Sequence, residues 1–271
     1  MPTIEINNIP SSYEKWGKGP VIVLIHGLGS SSLDWLPQSE ELSRNYTVIV
    51  PDLYGHGKST ALPHPLSILD FADQVAAILE QEALGLAHIV GLSLGGAVAF
   101  QFALQRPELV ASLTIANSRA NFRPTGCREK TAVLTRSLIS RLLGMKVLGR
   151  VLAKKIFPNS KQLQQLFQTR FIKNNPKNYR LCMQALLNWS IESSLQSIKC
   201  PVLLIVSEYD YYPLEDTKTY MEKINNAQLV VIEGAHHAVT LEKPKAFNRA
   251  LRDHLKQQSA IEFVPAVGGG L

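Results

Sequence analysis

The sequence predicts an α/β domain built on a mostly parallel, doubly wound sheet, with a helical cap inserted late in the core. Three observations carry this expectation. Short β-branched apolar runs recur along the chain, helix-period segments fall between them, and the alternation stops for one long stretch before it resumes. The 271 residues are enough for one large domain with a sizeable core.

The runs are Val21–Ile25, Thr47–Val50, His88–Val90, Leu113–Ala116, Val202–Val206 and Leu229–Ile232. Most are apolar throughout instead of alternating, as strands covered on both faces must be. Between them, Leu69–Ala83 carries Phe71, Val75, Ile78 and Leu79 at helical spacing, and Leu94–Gln105 is rich in Ala, Phe and Leu. Near the end, Lys245–Lys256 puts Phe247, Ala250, Leu251 and Leu255 on one helical face. Residues 1–118 and 197–258 are thus expected to form the core. Residues 119–196 lack strand-like runs and are expected to form the cap. There Leu134, Leu138 and Leu142, then Leu148, Leu152 and Ile156, repeat at helical spacing, punctuated by Gly144, Gly149 and Pro158. That apolar stripe is expected to line a substrate cavity from above. The tail, 259–271, ends in VGGGL and is expected to be flexible.

Composition narrows the function classes. Apolar content is 45%, with no uninterrupted run long enough to span a bilayer. The start, MPTIEINNIP, is polar and acidic where a signal peptide would be basic and then apolar. Cys127, Cys182 and Cys200 are widely spaced and odd in number, which predicts a reducing, cytoplasmic setting with neither a disulfide framework nor a metal cluster. The net charge of +6 hides an asymmetry: residues 119–199 hold sixteen Lys/Arg against two Asp/Glu, leaving the remainder at −8. Charge runs are usually solvated faces, yet this one exceeds what solubility needs and builds a positive field. Arg136, Arg141, Arg150 and Lys154 are expected to fall largely off the apolar stripe. Such a surface suits an acidic acyl carrier protein, an anionic membrane surface or a small anionic substrate. Nucleic acid ranks last, because aromatics for base stacking are few among the basic residues.

The chemistry centres on Gly91-Leu92-Ser93-Leu94-Gly95, a G-x-S-x-G stretch between an expected strand and an expected helix. In that context the turn is too tight for flanking side chains and lifts the serine hydroxyl above the sheet; the plainer alternative is a strand-to-helix turn that happens to contain serine. A serine nucleophile needs a base, and the base an orienting acid. Asp210 follows the run Val202–Val206, and His236 and His237 follow Leu229–Ile232, each just past a strand end. No H-E-x-x-H metal spacing and no phosphate-binding glycine loop occurs.

Five stretches in order, HGLGSSSLDW (26–35), DLYGHGKS (52–59), GLSLGG (91–96), SEYDYYP (207–213) and GAHHAVTLEKP (234–244), carry a resemblance to the α/β-hydrolase superfamily. The likeness is greatest to its small capped serine carboxylesterase and lactonase group. The resemblance implies Ser93 as nucleophile, Asp210 as acid and His237 as base; His237 is preferred over His236 because Leu241, Glu242 and Pro244 follow it at the family's spacing. It implies an oxyanion hole of backbone N–H groups from Leu94 and Leu28. His26, His56 and Asp52 are expected to brace loops, Trp35 to pack beneath the oxyanion loop, and His64, His88 and His254 to have ordinary surface or packing roles. A serine nucleophile sets the chain apart from the carboxylate-dependent dehalogenases and epoxide hydrolases of this fold. The expected activity is cofactor-free, metal-free hydrolysis of a small carboxylic ester through an acyl-enzyme. Thioester or ester cleavage on a carrier protein, as by a pimeloyl carrier-protein methyl ester esterase, lactone opening and C–C hydrolysis are alternatives. A slow-turnover small-molecule receptor is the alternative from another class.

Overall fold

Among residues 2–261, which the computed structural model describes, eight strands hydrogen-bond side by side in one sheet. They are β1 (Thr3–Ile6), β2 (Ile9–Trp16), β3 (Val21–Ile25), β4 (Thr47–Pro51), β5 (Ala87–Leu92), β6 (Val110–Ala116), β7 (Val202–Ser207) and β8 (Ala227–Ile232). Their spatial order is β1-β2-β4-β3-β5-β6-β7-β8. From β4 to β8 the pairing is parallel throughout; β1 and β2 pair antiparallel.

The helices are α1 (Leu36–Leu42), α2 (Ile68–Gln81), α3 (Leu94–Gln105), α4 (Cys127–Leu138), α5 (Gly144–Ile156), α6 (Lys161–Phe171), α7 (Pro176–Leu187), α8 (Leu214–Met221), α9 (Val239–Glu242) and α10 (Pro244–Ile261). The winding is double, and β3 shows why its residues are apolar without alternation. Val21, Val23 and Ile25 pack with Phe71 and Val75 of α2 and Val98 of α3, while Ile22 and Leu24 pack on the other face with Leu42 of α1 and Phe247 and Leu251 of α10. Chain direction across the sheet reverses between β4 and β5 around β3, so the loops after β3 and β5 open onto one crevice.

Three expectations are corrected. The sequence reading contains no strands before Val21, yet β1 and β2 form a hairpin turning at Asn7 and Asn8, both at positive φ. They lie at one end of the sheet and are only half-buried, β1 at the edge and β2 between it and β4, so they carry polar residues and lack the apolar run that marks the others. The run at 229–232 lies in β8, the opposite edge, where Val231 is exposed instead of covered. The final helix extends to Ile261, past the expected start of the tail; residues 262–271 lie outside the described residues.

Between β6 and β7 the chain makes a helical excursion, α4 to α7, with a π-helical turn at Ile139–Leu143 joining α4 to α5. Its two stems hold one another at a neck: Asn121 and Ser190 form an antiparallel bridge, Phe122 N donates to Trp189 O at 3.1 Å, and Ile191 N donates to Ala120 O at 2.9 Å. Gly149 lies inside α5 and does not punctuate it. A Cβ there would stand 2.9 Å from the Phe171 ring, so glycine lets α5 and α6 close on each other. The stripe divides at the π-turn. Leu148 is buried and Leu152 and Ile156 reach the cavity described below, but Leu134, Leu138 and Leu142 point to solvent. A π-turn takes one more residue per hydrogen-bonded loop, which rotates the face that regular helical spacing would keep aligned. Arg141, Arg150 and Lys154 are exposed as expected, whereas Arg136 is not off the lining but part of it.

Candidate active site

Ser93 sits at the junction of β5 and α3 with φ 56° and ψ −115°. Few non-glycine residues adopt that geometry, and here the neighbours impose it. Ser93 N donates to Ala116 O at 3.0 Å, and its carbonyl accepts from the Ser118 hydroxyl at 2.7 Å and Gly96 N at 2.9 Å. The flanking glycines answer to close approach: a Cβ on Gly91 would fall 2.1 Å from Gly95 O, and one on Gly95 would fall 2.0 Å from Ile25 O. Leu94 is the first residue of α3, so its N–H has no carbonyl within the helix to bond and lies at the positive end of the helix dipole.

A cavity of about 70 Å³ lies over this turn, lined by Ser93, His237, Gly27 and Leu28 from the core and by Arg136, Leu152, Ile156, Phe157, Phe167 and Leu186 from the excursion. Ser93, His237 and Leu28 thus meet where the sequence placed them. Leu94 is fully buried beneath the turn.

His237 Nδ1 lies 2.8 Å from Asp210 Oδ1. A carboxylate only accepts, so Nδ1 carries the proton and Nε2 is left with its lone pair. The Asp210 side chain is 1% exposed and also accepts from Tyr211 N at 2.7 Å. The ring is held by aromatic walls, with Tyr211 stacked on it at 4.0 Å and Tyr212 edge-on at 5.7 Å. Burial keeps both phenols protonated, driving Tyr211 well above the usual 10 and Tyr212 up to about 12.

His236 has a different post. Its Nδ1 lies 2.9 Å from Glu242 Oε1, and its backbone N–H donates to Glu242 Oε2 at 2.6 Å, so it ties its loop to α9. Asn117, which the sequence reading missed, is the clamp behind the site. At positive φ beyond β6, its side chain donates to His237 O at 2.7 Å and to Ser207 Oγ at 2.8 Å, and accepts from Ser207 N at 2.8 Å. Only its place immediately after a strand hinted at this. Tyr211 and Tyr212 lie in the SEYDYYP stretch, whose pattern points to Asp210 and says nothing of the two rings.

The bracing residues stand as expected. His26 Nε2 accepts from Leu53 N at 3.0 Å while Nδ1 donates to Gly27 O at 2.8 Å; burial lowers its pKa and fixes it neutral. Asp52 accepts from Ser32 N and Lys58 N, joining the loops after β3 and β4. His56 lies 5.1 Å from the His26 ring, and burial foremost takes it down to about 3. Trp35, 1% exposed, packs on Phe247 below the turn that follows the oxyanion loop. The excursion grips that loop from above: Asn174 Nδ2 donates to Gly29 O at 2.9 Å, and Arg170 Nη1 bonds Leu33 O at 3.0 Å and Asp34 Oδ1 at 2.6 Å. Among the described residues no group of three or more His, Cys, Asp or Glu is placed to hold a metal ion, and no helix is long and apolar enough to cross a membrane.

Comparison with known proteins agrees with the fold. The model of a family described as alpha/beta hydrolase fold matches residues 20–244. A putative carbamate hydrolase, RutD, of Stutzerimonas stutzeri is 32% identical over 91% of this chain and 97% of its own length. Among solved structures, a thermophilic esterase from Thermogutta terrifontis with malate bound superposes with a TM-score of 0.84 at 26% identity, over 92% of this chain and 94% of that one. The enol-lactonase of Burkholderia xenovorans shares the fold, with a TM-score of 0.87 at 22% identity over 94% of this chain and 100% of that one.

Proposed function

The chain belongs to the α/β-hydrolase family, and from that premise we propose that this hydrolase is a serine enzyme cleaving a small carboxylic ester through an acyl-enzyme. The observation that carries the reading is the Asp210–His237 pair beside a cavity whose floor is the strained Ser93. In this reaction Ser93 Oγ attacks the ester carbon as His237 Nε2 takes its proton, and Asp210 steadies the imidazolium. The carbonyl oxygen becomes an oxyanion between the N–H groups of Leu94 and Leu28. Collapse expels the alcohol, which leaves with the proton from His237. Water, deprotonated by the same nitrogen, then attacks the acyl-enzyme and frees the acid and Ser93. Tyr211 and Tyr212 shield the imidazole from competing water. The helices between β6 and β7 act as the cap, supplying the apolar wall for the substrate. A carbamate is the second reading, favoured by the name of the 32%-identical relative.

Short-chain p-nitrophenyl esters and a matched aryl carbamate, assayed with wild type and Ser93→Ala, test this. Ester turnover should fall by several powers of ten in the variant, at an unchanged melting temperature, and a fluorophosphonate should label wild type at Ser93 alone. Ester hydrolysis persisting in Ser93→Ala, or label elsewhere, refutes a serine nucleophile. Faster cleavage of the carbamate favours the second reading.

A further inference from the structure

The cavity over Ser93 contains a charge that ester cleavage does not use. Arg136, on α4, lines it together with Ser93 and His237. Its Nε donates to the Tyr179 hydroxyl, and its guanidinium carbon sits 5.3 Å from the centre of the Tyr179 ring. The groups that act on its charge are Tyr179, Tyr211 and Tyr212, all phenols that burial keeps protonated, and Lys155, a second cation whose Nζ lies 4.4 Å from the centre of the Tyr211 ring. Among the described residues no carboxylate pairs with Arg136.

Its neighbours are placed otherwise. Arg119 bonds Glu129 and Asp216, both at 3.0 Å. Asp34, the acid on the cavity wall, is taken by Arg170 at 2.6 Å and by the Ser30 hydroxyl. The cavity is therefore a largely apolar chamber with a serine on its floor and a guanidinium whose terminal N–H groups meet no protein acceptor among the described residues. Holding a cation against apolar walls is unfavourable unless something bonds it. A planar fork of N–H donors matches a carboxylate in both charge and shape.

We propose that Arg136 binds a carboxylate of the substrate, so that the natural ester carries a free acid group a few bonds from the carbonyl that Ser93 attacks. This specifies the substrate class of the site proposed above, and its kinetic arm rests on that reading. The carboxylate belongs either to the acyl half or to the alcohol half. The size of the chamber keeps it close to the scissile bond in both cases.

The test compares charged and neutral partners of similar size. On the acyl side these are mono-p-nitrophenyl glutarate and p-nitrophenyl valerate; on the alcohol side, 4-acetoxybenzoate and phenyl acetate. In wild type one of the two pairs should show kcat/KM higher for the anion by roughly 10- to 100-fold, the range of a charge-assisted hydrogen bond. The pair that does so identifies the half. Arg136→Gln should bring that ratio close to one, and Arg136→Lys should retain part of it. A guanidinium that merely props Tyr179 would slow both members equally and leave the ratio as it was; that result overturns the proposal, as does a wild-type preference for both neutral esters. Binding gives a readout independent of turnover. Glutarate should raise the melting temperature of wild type and not of Arg136→Gln, while glutaramide raises neither. If no ester is cleaved but glutarate binding depends on Arg136, the ester reading fails and the carboxylate site stands. If cleavage depends on Ser93 while ratio and binding ignore Arg136, the site fails and the ester reading stands.

Discussion

At the scale of single residues, the two adjacent histidines offer the sharpest test. His237 faces the cavity and is oriented by Asp210, whereas His236 is spent on Glu242. His237→Ala should therefore match Ser93→Ala in its loss of kcat, because members of such a unit fail together. Asp210→Asn should be severely impaired through the wrong imidazole tautomer. His236→Ala should keep substantial kcat and lose thermal stability instead, since it unties α9. The reverse pattern in a side-by-side assay would exchange their roles. Ser93 stood out in the sequence because the tight turn at 91–95 demands its glycines, and Asp210 and His237 because each lies past a strand end in a stretch that resembles the family's. Asn117 and Arg136 did not. Their roles arise where separate segments meet, Asn117 across β6, β7 and the histidine loop, Arg136 across the excursion and the core. No local pattern encodes such a meeting.

At the scale of elements, the seat of α3 against β3 decides the position of the nucleophile. A methyl on Gly95 would meet the Ile25 carbonyl at 2.0 Å, and backbone facing backbone has no rotamer by which to yield. Gly95→Ala should then cost about 1–3 kcal/mol or more as α3 is pushed outward. Ser93, at the head of that helix, would move with it, so fluorophosphonate labelling should slow by more than the loss of stability explains. Labelling at the wild-type rate in a folded Gly95→Ala protein would show that the contact is slack. The central strands and α2, α3 and α10 were readable because burial on two faces leaves an unbroken apolar run and burial of a helical stripe leaves a period. The β1–β2 hairpin leaves little such trace. The leucines of α4 misled because a π-turn alters the period between two otherwise regular helices.

At the scale of the whole molecule, burial of histidine makes stability depend on acid. Burial lowers His88 and His254 to about 4 and His56, with help from His26, to about 3. Unfolding restores them to about 6.5. Below that value the unfolded chain takes up protons that the folded chain refuses, so stability is lost as pH falls from about 6.5 towards 4. With three such groups the slope approaches ~4 kcal/mol per pH unit. Urea midpoints at pH 7.5, 6 and 5 check this: the midpoint should hold above pH 7 and drop steeply below 6, and His254→Phe should flatten the descent. An even midpoint from pH 7.5 to 5 would contradict it. The neck at Asn121 and Ser190 bears on a longer timescale. Because the chain enters and leaves the excursion at one hydrogen-bonded crossing, residues 123–188 can be exchanged there as a cassette, provided the replacement remakes the grip of Asn174 and Arg170 on the loop after β3. Insertions, deletions or wholesale replacement inside it leave the registers of β6 and β7 alone, and with them Ser93, Asp210 and His237. Arg136 travels with the cassette, and Ser93, Asp210 and His237 stay behind. A lineage built this way can diversify what it cuts while conserving how it cuts.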